Sequence, residues 1–198
     1  MKLEHTVLSC VLICSNPYWI SYFTNHVEFI NNNSIVNQNI YKAYYKEGKM
    51  YFNPYEYIGQ TVLHEYGHLI FDKRVSKEEK DTIVTLFKEE MSPFIGDEKY
   101  LEKLHKKYHP SSNPLKFFCE SHICPIMLID GVGILSGKKI GSCGHEDGYS
   151  ISHLATELFA EVLEAEVLNY DIPLAIYKEE SPKTYSYIRD KIYEVLRP

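Results

Sequence analysis

No Cys-x-x-Cys pair occurs in the 198 residues, and the five cysteines (Cys10, Cys14, Cys119, Cys124 and Cys143) are an odd number. That is a poor disulfide framework and fits a reducing compartment. The one mixed cluster, Cys119-x-x-His122-x-Cys124, has the spacing of no common zinc module. Also missing is any run of Lys and Arg that resembles a nucleic-acid footprint. The formal net charge of −6 argues against a phosphate-binding surface, so no nucleic-acid partner is expected. Long apolar runs are absent as well. Residues 6–27 carry no Asp, Glu, Lys or Arg, but Ser15-Asn16-Pro17 breaks the apolar stretch before it reaches membrane-spanning length. Glu4 spoils the basic start of a secretory signal, and no small-x-small cleavage site follows. Stable membrane insertion is therefore not expected, and the segment reads as a buried strand or short helix. The pattern is compatible with a cytoplasmic or an exported protein.

What the chain does have is a 44% hydrophobic content, enough for a sizeable core in one domain. Its most informative stretch is Thr61-Val62-Leu63-His64-Glu65-Tyr66-Gly67-His68-Leu69-Ile70-Phe71. The apolar flanks place His-Glu-x-x-His on a helix that enters a core. Residues four apart share a helix face, so His64 and His68 can point both imidazoles at one metal ion. Glu65, one step round, is placed to take a proton from a water. This is the helical zinc-peptidase signature, with two histidine ligands and a glutamate general base. Gly67 is a poor helix former, which predicts a close neighbour that a side chain would strike.

A catalytic zinc usually takes three protein ligands, so a third is needed. Thr156 to Asn169 reads as a second strong helix with Glu157 and Glu161 four apart on one face. They are either two solvated carboxylates beside a core face, or Glu157 is the third ligand and Glu161 orients a ligand histidine. His105 and His109, also four apart, read as solvated, with Lys106 and Lys107 between them. Around these segments, Ile40–Tyr45 and Lys49–Phe52, parted by Lys46-Glu47-Gly48, read as a hairpin. Such a strand before the metal helix would suit a peptidase that pairs with an extended substrate. Ser76-x-x-Glu79 is a capping box that opens a helix to about Met91. A further helix is expected from Asp97 to Tyr108, another from Leu115, and a last one from Tyr185 to Leu196. Asp130-Gly131-Val132-Gly133 and Gly141-Ser142-Cys143-Gly144 read as glycine-marked turns.

His64-Glu65-Tyr66-Gly67-His68, followed by Glu157-Leu158-Phe159-Ala160-Glu161, resembles the anthrax lethal factor type of zinc metallopeptidase, with the clostridial Pro-Pro endopeptidases as smaller relatives. The resemblance covers roughly residues 50 to 196 and includes Ser181-Pro182-Lys183-Thr184-Tyr185 with Ile188 and Asp190. It implies that Glu157 is the third ligand to one Zn2+ per chain and that a tyrosine shortly upstream stabilises the oxyanion. Tyr149 is the only tyrosine nearby, and it lies one residue further from Glu157 than in the family. His145 competes for that role as a protonated donor. About ninety residues separate His68 from Glu157, more than the family's usual gap. Residues 135–145 with Tyr149 are also similar to zincin-type domains of phage structural proteins and bacterial polymorphic toxins. The resulting expectation is an α+β, zincin-like metallopeptidase domain over residues 1–198. It is mainly helical, with a small mixed sheet beside the metal helix and a helical insertion at about 76–110. Its partner is a peptide or protein substrate. The alternative is a zincin-like assembly or regulatory module of a phage or toxin system without catalysis.

Overall fold

The computed structural model describes residues 43–46, 49–52, 59–97, 99–100, 103, 107, 126–138, 145 and 147–196. The N-terminal apolar segment, the helix expected from Leu115, the Cys119–Cys124 cluster, His105, His109 and the turn at 141–144 lie outside them, as does most of the helix expected over 97–108. The described elements are β1 (Ala43–Lys46), β2 (Lys49–Phe52), α1 (Gly59–Arg74), α2 (Lys77–Met91), α3 (Ile126–Ser136), α4 (Leu154–Leu168), α5 (Asp171–Glu180) and α6 (Pro182–Val195). Short 3-10 turns cover Ser92–Phe94 and Ile151–His153.

This corrects the expected fold class. The described residues are mainly helical, and no mixed sheet is found among them. The two short strands form only an antiparallel hairpin, registered from Ala43 opposite Phe52 to Lys46 opposite Lys49, which lies beside α1. A two-residue connection permits antiparallel pairing and nothing else, because a parallel neighbour needs a long crossover. Among the described residues no helix is long and apolar enough to cross a membrane.

The centre of the fold is α4, which packs against each of the other five described helices. Leu154, Leu158, Phe159, Val162 and Leu163 are fully buried along it. A helix apolar around most of its circumference belongs inside. Around it stand Leu63, Ile70 and Phe71 of α1, Ile83, Phe87 and Met91 of α2, Leu128 and Val132 of α3, and Ile188 and Ile192 of α6. Within the expected insertion, α2 thus shares the core of the site helices.

Two glycines set how closely the helices approach. A Cβ on Gly67 would lie 2.6 Å from Ala160 Cα and 2.9 Å from Ala160 Cβ, so α1 and α4 touch backbone to backbone. A Cβ on Gly131 would meet Phe87 Cζ at 2.8 Å and Leu158 Cδ2 at 2.9 Å. Asp130-Gly131-Val132-Gly133 is therefore the interior of α3 and not a turn. Gly131 answers to packing, where a turn would need its conformational freedom. The real stop comes at Gly137, at φ +69°. There Lys138 N–H bonds to Gly133 O and Gly137 N–H to Ile134 O, the Schellman arrangement.

The capping box at α2 is complete: Ser76 N–H donates to Glu79 Oε2 at 2.7 Å and Glu79 N–H to Ser76 Oγ at 3.4 Å. Lys191 of α6 also pairs with Glu79, which ties α2 to α6. Glu90 does the same at the start of α6, accepting from Lys183 N–H, Thr184 N–H and the Thr184 hydroxyl.

Two predictions test this packing. Ala in place of Gly gains about 1 kcal/mol of helix propensity, but overpacking against an immovable Cα costs typically about 1–3 kcal/mol. Gly67→Ala is therefore expected to lower stability in urea melts and to weaken metal binding, because it pushes α1 off α4. The second prediction concerns pH. Lys191, with the Ser76 N–H, lowers the Glu79 carboxyl from 4.5 to about 2. A depressed carboxylate stabilises the fold above its unfolded value and loses that effect as pH falls through the folded one. Glu79→Gln is expected to cost on the order of 1 kcal/mol at pH 7. That difference from the wild type should shrink between pH 4.5 and about 2, as measured by chemical denaturation.

Candidate metal centre

On α1, His64 and His68 fall one turn apart, with ring centroids 4.7 Å apart and planes at 88°. Both turn Nε2 toward α4, where Glu157 waits: its Oε2 is 3.2 Å from His64 Nε2 and 3.4 Å from His68 Nε2. Donor atoms of all three lie within 4.8 Å of one another. Tetrahedral zinc, with ligand bonds near 2.0–2.1 Å, separates neighbouring ligand atoms by about 3.3 Å. The two distances from Glu157 Oε2 match that spacing, and two imidazoles with one carboxylate are donor types zinc takes.

Each histidine is also held from behind. His68 Nδ1 lies 3.1 Å from Thr156 Oγ1, and His64 Nδ1 is 3.6 Å from Glu164 Oε2. With Nε2 as ligand, Nδ1 would carry the proton, which in His68 can be donated to Thr156 and in His64 faces the Glu164 carboxylate. That is how outer partners orient metal-binding histidines. Glu161, expected in this role, accepts instead from the Tyr177 hydroxyl at 2.7 Å. The carboxylate facing His64 is Glu164, about one helical turn further on.

Glu157, Glu161 and Glu164 are all buried in α4, and a buried carboxylate is expensive unless paired. Glu157 meets the two histidines. Burial pushes its carboxyl up, but the hydrogen bond from His64 and the imidazole charges outweigh that and hold it at about 2. Burial pushes His64 down, yet Glu157 and Glu164 together raise it well above its ordinary value. His68 is lowered to about 4 by burial and by the His64 charge. Burial, joined by the Asp130 charge, lifts Glu161 well above the usual carboxylate range. His64 thus lies between two carboxylates that favour its protonated form, and a metal ion bound there would take that proton's place.

The remaining expected groups gather on the other oxygen of Glu157. The Tyr149 hydroxyl donates to Glu157 Oε1 at 2.9 Å. Burial and the Glu157 charge raise the phenol, so it keeps its proton. His145 stacks on Tyr149 at 3.7 Å between centroids, and its Nε2 is 3.6 Å from Glu157 Oε1. Its Nδ1 is 2.8 Å from Asp130 Oδ2. Burial lowers His145, and Asp130 more than reverses that. Glu65 is buried, and its charge reaches the Tyr149 hydroxyl, which places it in the same site.

Sequence reasoning missed Thr156, Glu164, Asp130 and Tyr177. Glu164 carried a signal, since it continues the 157–161 face at helical spacing. Tyr177 stands on α5, which escaped notice although Pro173, Leu174 and Tyr177 are spaced for a helix. Nothing local marked Asp130. No known protein family, curated protein or solved structure matches the chain.

Loss of an outer carboxylate typically lowers metal affinity about 10–100-fold. Glu164→Gln is expected to weaken zinc binding by that factor while keeping one site per chain, as read by competition with a chromophoric chelator. An unchanged affinity would show that Glu164 does not steer His64.

Proposed function

We propose that this chain is a zinc-dependent endopeptidase of the lethal-factor type, with one Zn2+ held by His64, His68 and Glu157. The observation that supports it is the meeting of two imidazole Nε2 atoms with one carboxylate oxygen, 3.2 and 3.4 Å away, next to a buried glutamate that follows the first histidine. Zinc bound there supplies Lewis acidity, polarising a peptide carbonyl and lowering the pKa of a water toward neutrality. Glu65 accepts the proton of the attacking water as the new C–O bond forms. It passes that proton to the leaving amine as the C–N bond breaks, so no other co-reactant is needed. Tyr149 stays protonated and can donate to the developing oxyanion, a contribution typically worth about 3 kcal/mol. Glu157 holds its charge because three imidazoles and a phenol surround it. Glu161 and Tyr177 close the polar layer beneath the site without reaching a ligand histidine.

The test is a peptide-library digest read by mass spectrometry, with zinc content measured on the same samples. The wild type is expected to hold one zinc per chain and to cut. Glu65→Ala is expected to keep zinc and fold and to lose turnover by several orders of magnitude. Near-full activity in Glu65→Ala would refute the mechanism. Zinc without any cleavage would favour the non-catalytic zincin-like module, and no zinc at all would leave the motif a coincidence.

A further inference from the structure

Three histidines surround the Glu157 carboxylate, and they are arranged alike. His64 and His68 turn Nε2 to Glu157 Oε2, at 3.2 and 3.4 Å. His145 turns Nε2 to the other oxygen, Oε1, at 3.6 Å. Each ring has an oxygen behind it at Nδ1: Glu164 for His64 at 3.6 Å, Thr156 for His68 at 3.1 Å and Asp130 for His145 at 2.8 Å. An imidazole with a metal on one nitrogen and a carboxylate at the other is the recurrent carboxylate–histidine–metal arrangement. His145 thus repeats the pattern of the two proposed histidine ligands, on the carboxylate oxygen that they do not face. Asp130 is buried in α3, and its Oδ1 also accepts the His145 backbone N–H at 2.9 Å, so ring and backbone are held together. The chain beyond His145 is tied to the end of the same helix, since Gly148 N–H bonds to Gly137 O.

We propose that His145 Nε2 and Glu157 Oε1 form a second zinc site, with Asp130 as the positioning residue behind the histidine and Glu157 as a bridge between two ions. Imidazole and carboxylate together suit zinc. Their separation of 3.6 Å is close to the ~3.3 Å between neighbouring ligand atoms on that ion. Asp130, His145 and Glu157 bring donor atoms within 4.8 Å of one another. Among the described residues no such group joins His145 to His64 and His68, so His145 serves a separate ion and not a further position on the first. Oε1 accepts the Tyr149 hydroxyl at 2.9 Å, and a carboxylate oxygen has a second lone pair for the ion. The His145 side chain is 31% exposed, which leaves a side open to water ligands and to the entering ion. Two protein donors instead of three, and a cation already on the other carboxylate oxygen, make this site the weaker one. One equivalent of zinc therefore fills the first centre alone, and the second site needs an excess. The proposal rests on the zinc centre proposed above and not on its peptidase activity.

The test is a calorimetric titration of zinc into protein already loaded with one equivalent. A second, weaker equivalent is expected in the wild type and is expected to be absent in His145→Phe, whose ring can still stack on Tyr149. Asp130→Asn should weaken that second equivalent about 10–100-fold, the usual effect of losing a carboxylate behind a ligand histidine. Both variants should keep the first zinc. Loss confined to the second zinc marks Asp130 as a positioning residue, since a general loss of fold would weaken both. Anomalous diffraction from wild-type crystals in excess zinc tests the site without any variant. It is expected to show a second peak at His145 Nε2 and Glu157 Oε1, about 3.5–4 Å from the first as in other two-metal sites.

A wild type that takes up one zinc and no more in excess zinc would overturn the proposal. So would a second zinc that persists in His145→Phe, or a second peak away from His145. A wild type that takes up no zinc at all would sink the zinc centre, and this site with it. Two zincs in a protein that cuts no peptide would sink the peptidase reading and leave the second site standing.

Discussion

The contact on which the rest of the structure depends is the one between Gly67 and Ala160. At that point two helices meet with little more than the Ala160 methyl between them. Three residues before Gly67 stands His64, one residue after it His68, and three residues before Ala160 stands Glu157. Backbone contact at the crossing is what lets short side chains on the two helices reach a common point. A helix pair held apart by ordinary side chains sits 8–10 Å between axes. The bond lengths of a metal centre leave no slack for even a fraction of an ångström at each ligand. The glycine that weakens α1 as an isolated helix is therefore what makes the site possible.

The second constraint is electrostatic. Three carboxylates on one buried helix would be ruinous if left alone. Each is answered differently: Glu157 by imidazoles and a phenol, Glu164 by the far nitrogen of His64, and Glu161 by the Tyr177 hydroxyl. Stability and chemistry are coupled here. The groups that make the acid stripe tolerable inside the fold are the same groups that could hold and orient a metal, so the centre is also part of the core.

Local patterns in the sequence carried a good deal of this. The apolar flanks of His64 and His68 marked α1. The Ser76–Glu79 box marked the start of α2, and the apolar stripe of Leu158, Val162 and Ala165 marked α4. These are signals within one turn or one helix, where spacing alone decides which side chains share a face. What failed were inferences about partners far away in the chain. A mixed sheet was expected from the habits of a resembling family, and the described residues hold only a hairpin. The stretch from Asp130 to Gly133 read as a turn because the packing partners of Gly131, Phe87 and Leu158, are distant in sequence. Asp130 was invisible for the same reason, since its meaning comes from His145 across a loop. Glu164 was overlooked beside Glu161 because it stands two turns from Glu157, beyond the single-turn spacing that pairs 157 with 161.

The three buried glutamates of the centre, together with Thr156, come from a single helix. Each residue added to a helix rotates the remainder by about 100° and advances it by 1.5 Å. Inserting or deleting one residue between Thr156 and Glu164 would therefore swing one end of the stripe to another side of α4 while the other stayed in place. Substitutions in α1 can be graded, one side chain at a time. A change of length in α4 cannot. Loops such as the one around Gly148 can drift in length over evolutionary time, but α4 behaves as a ruler whose divisions are fixed.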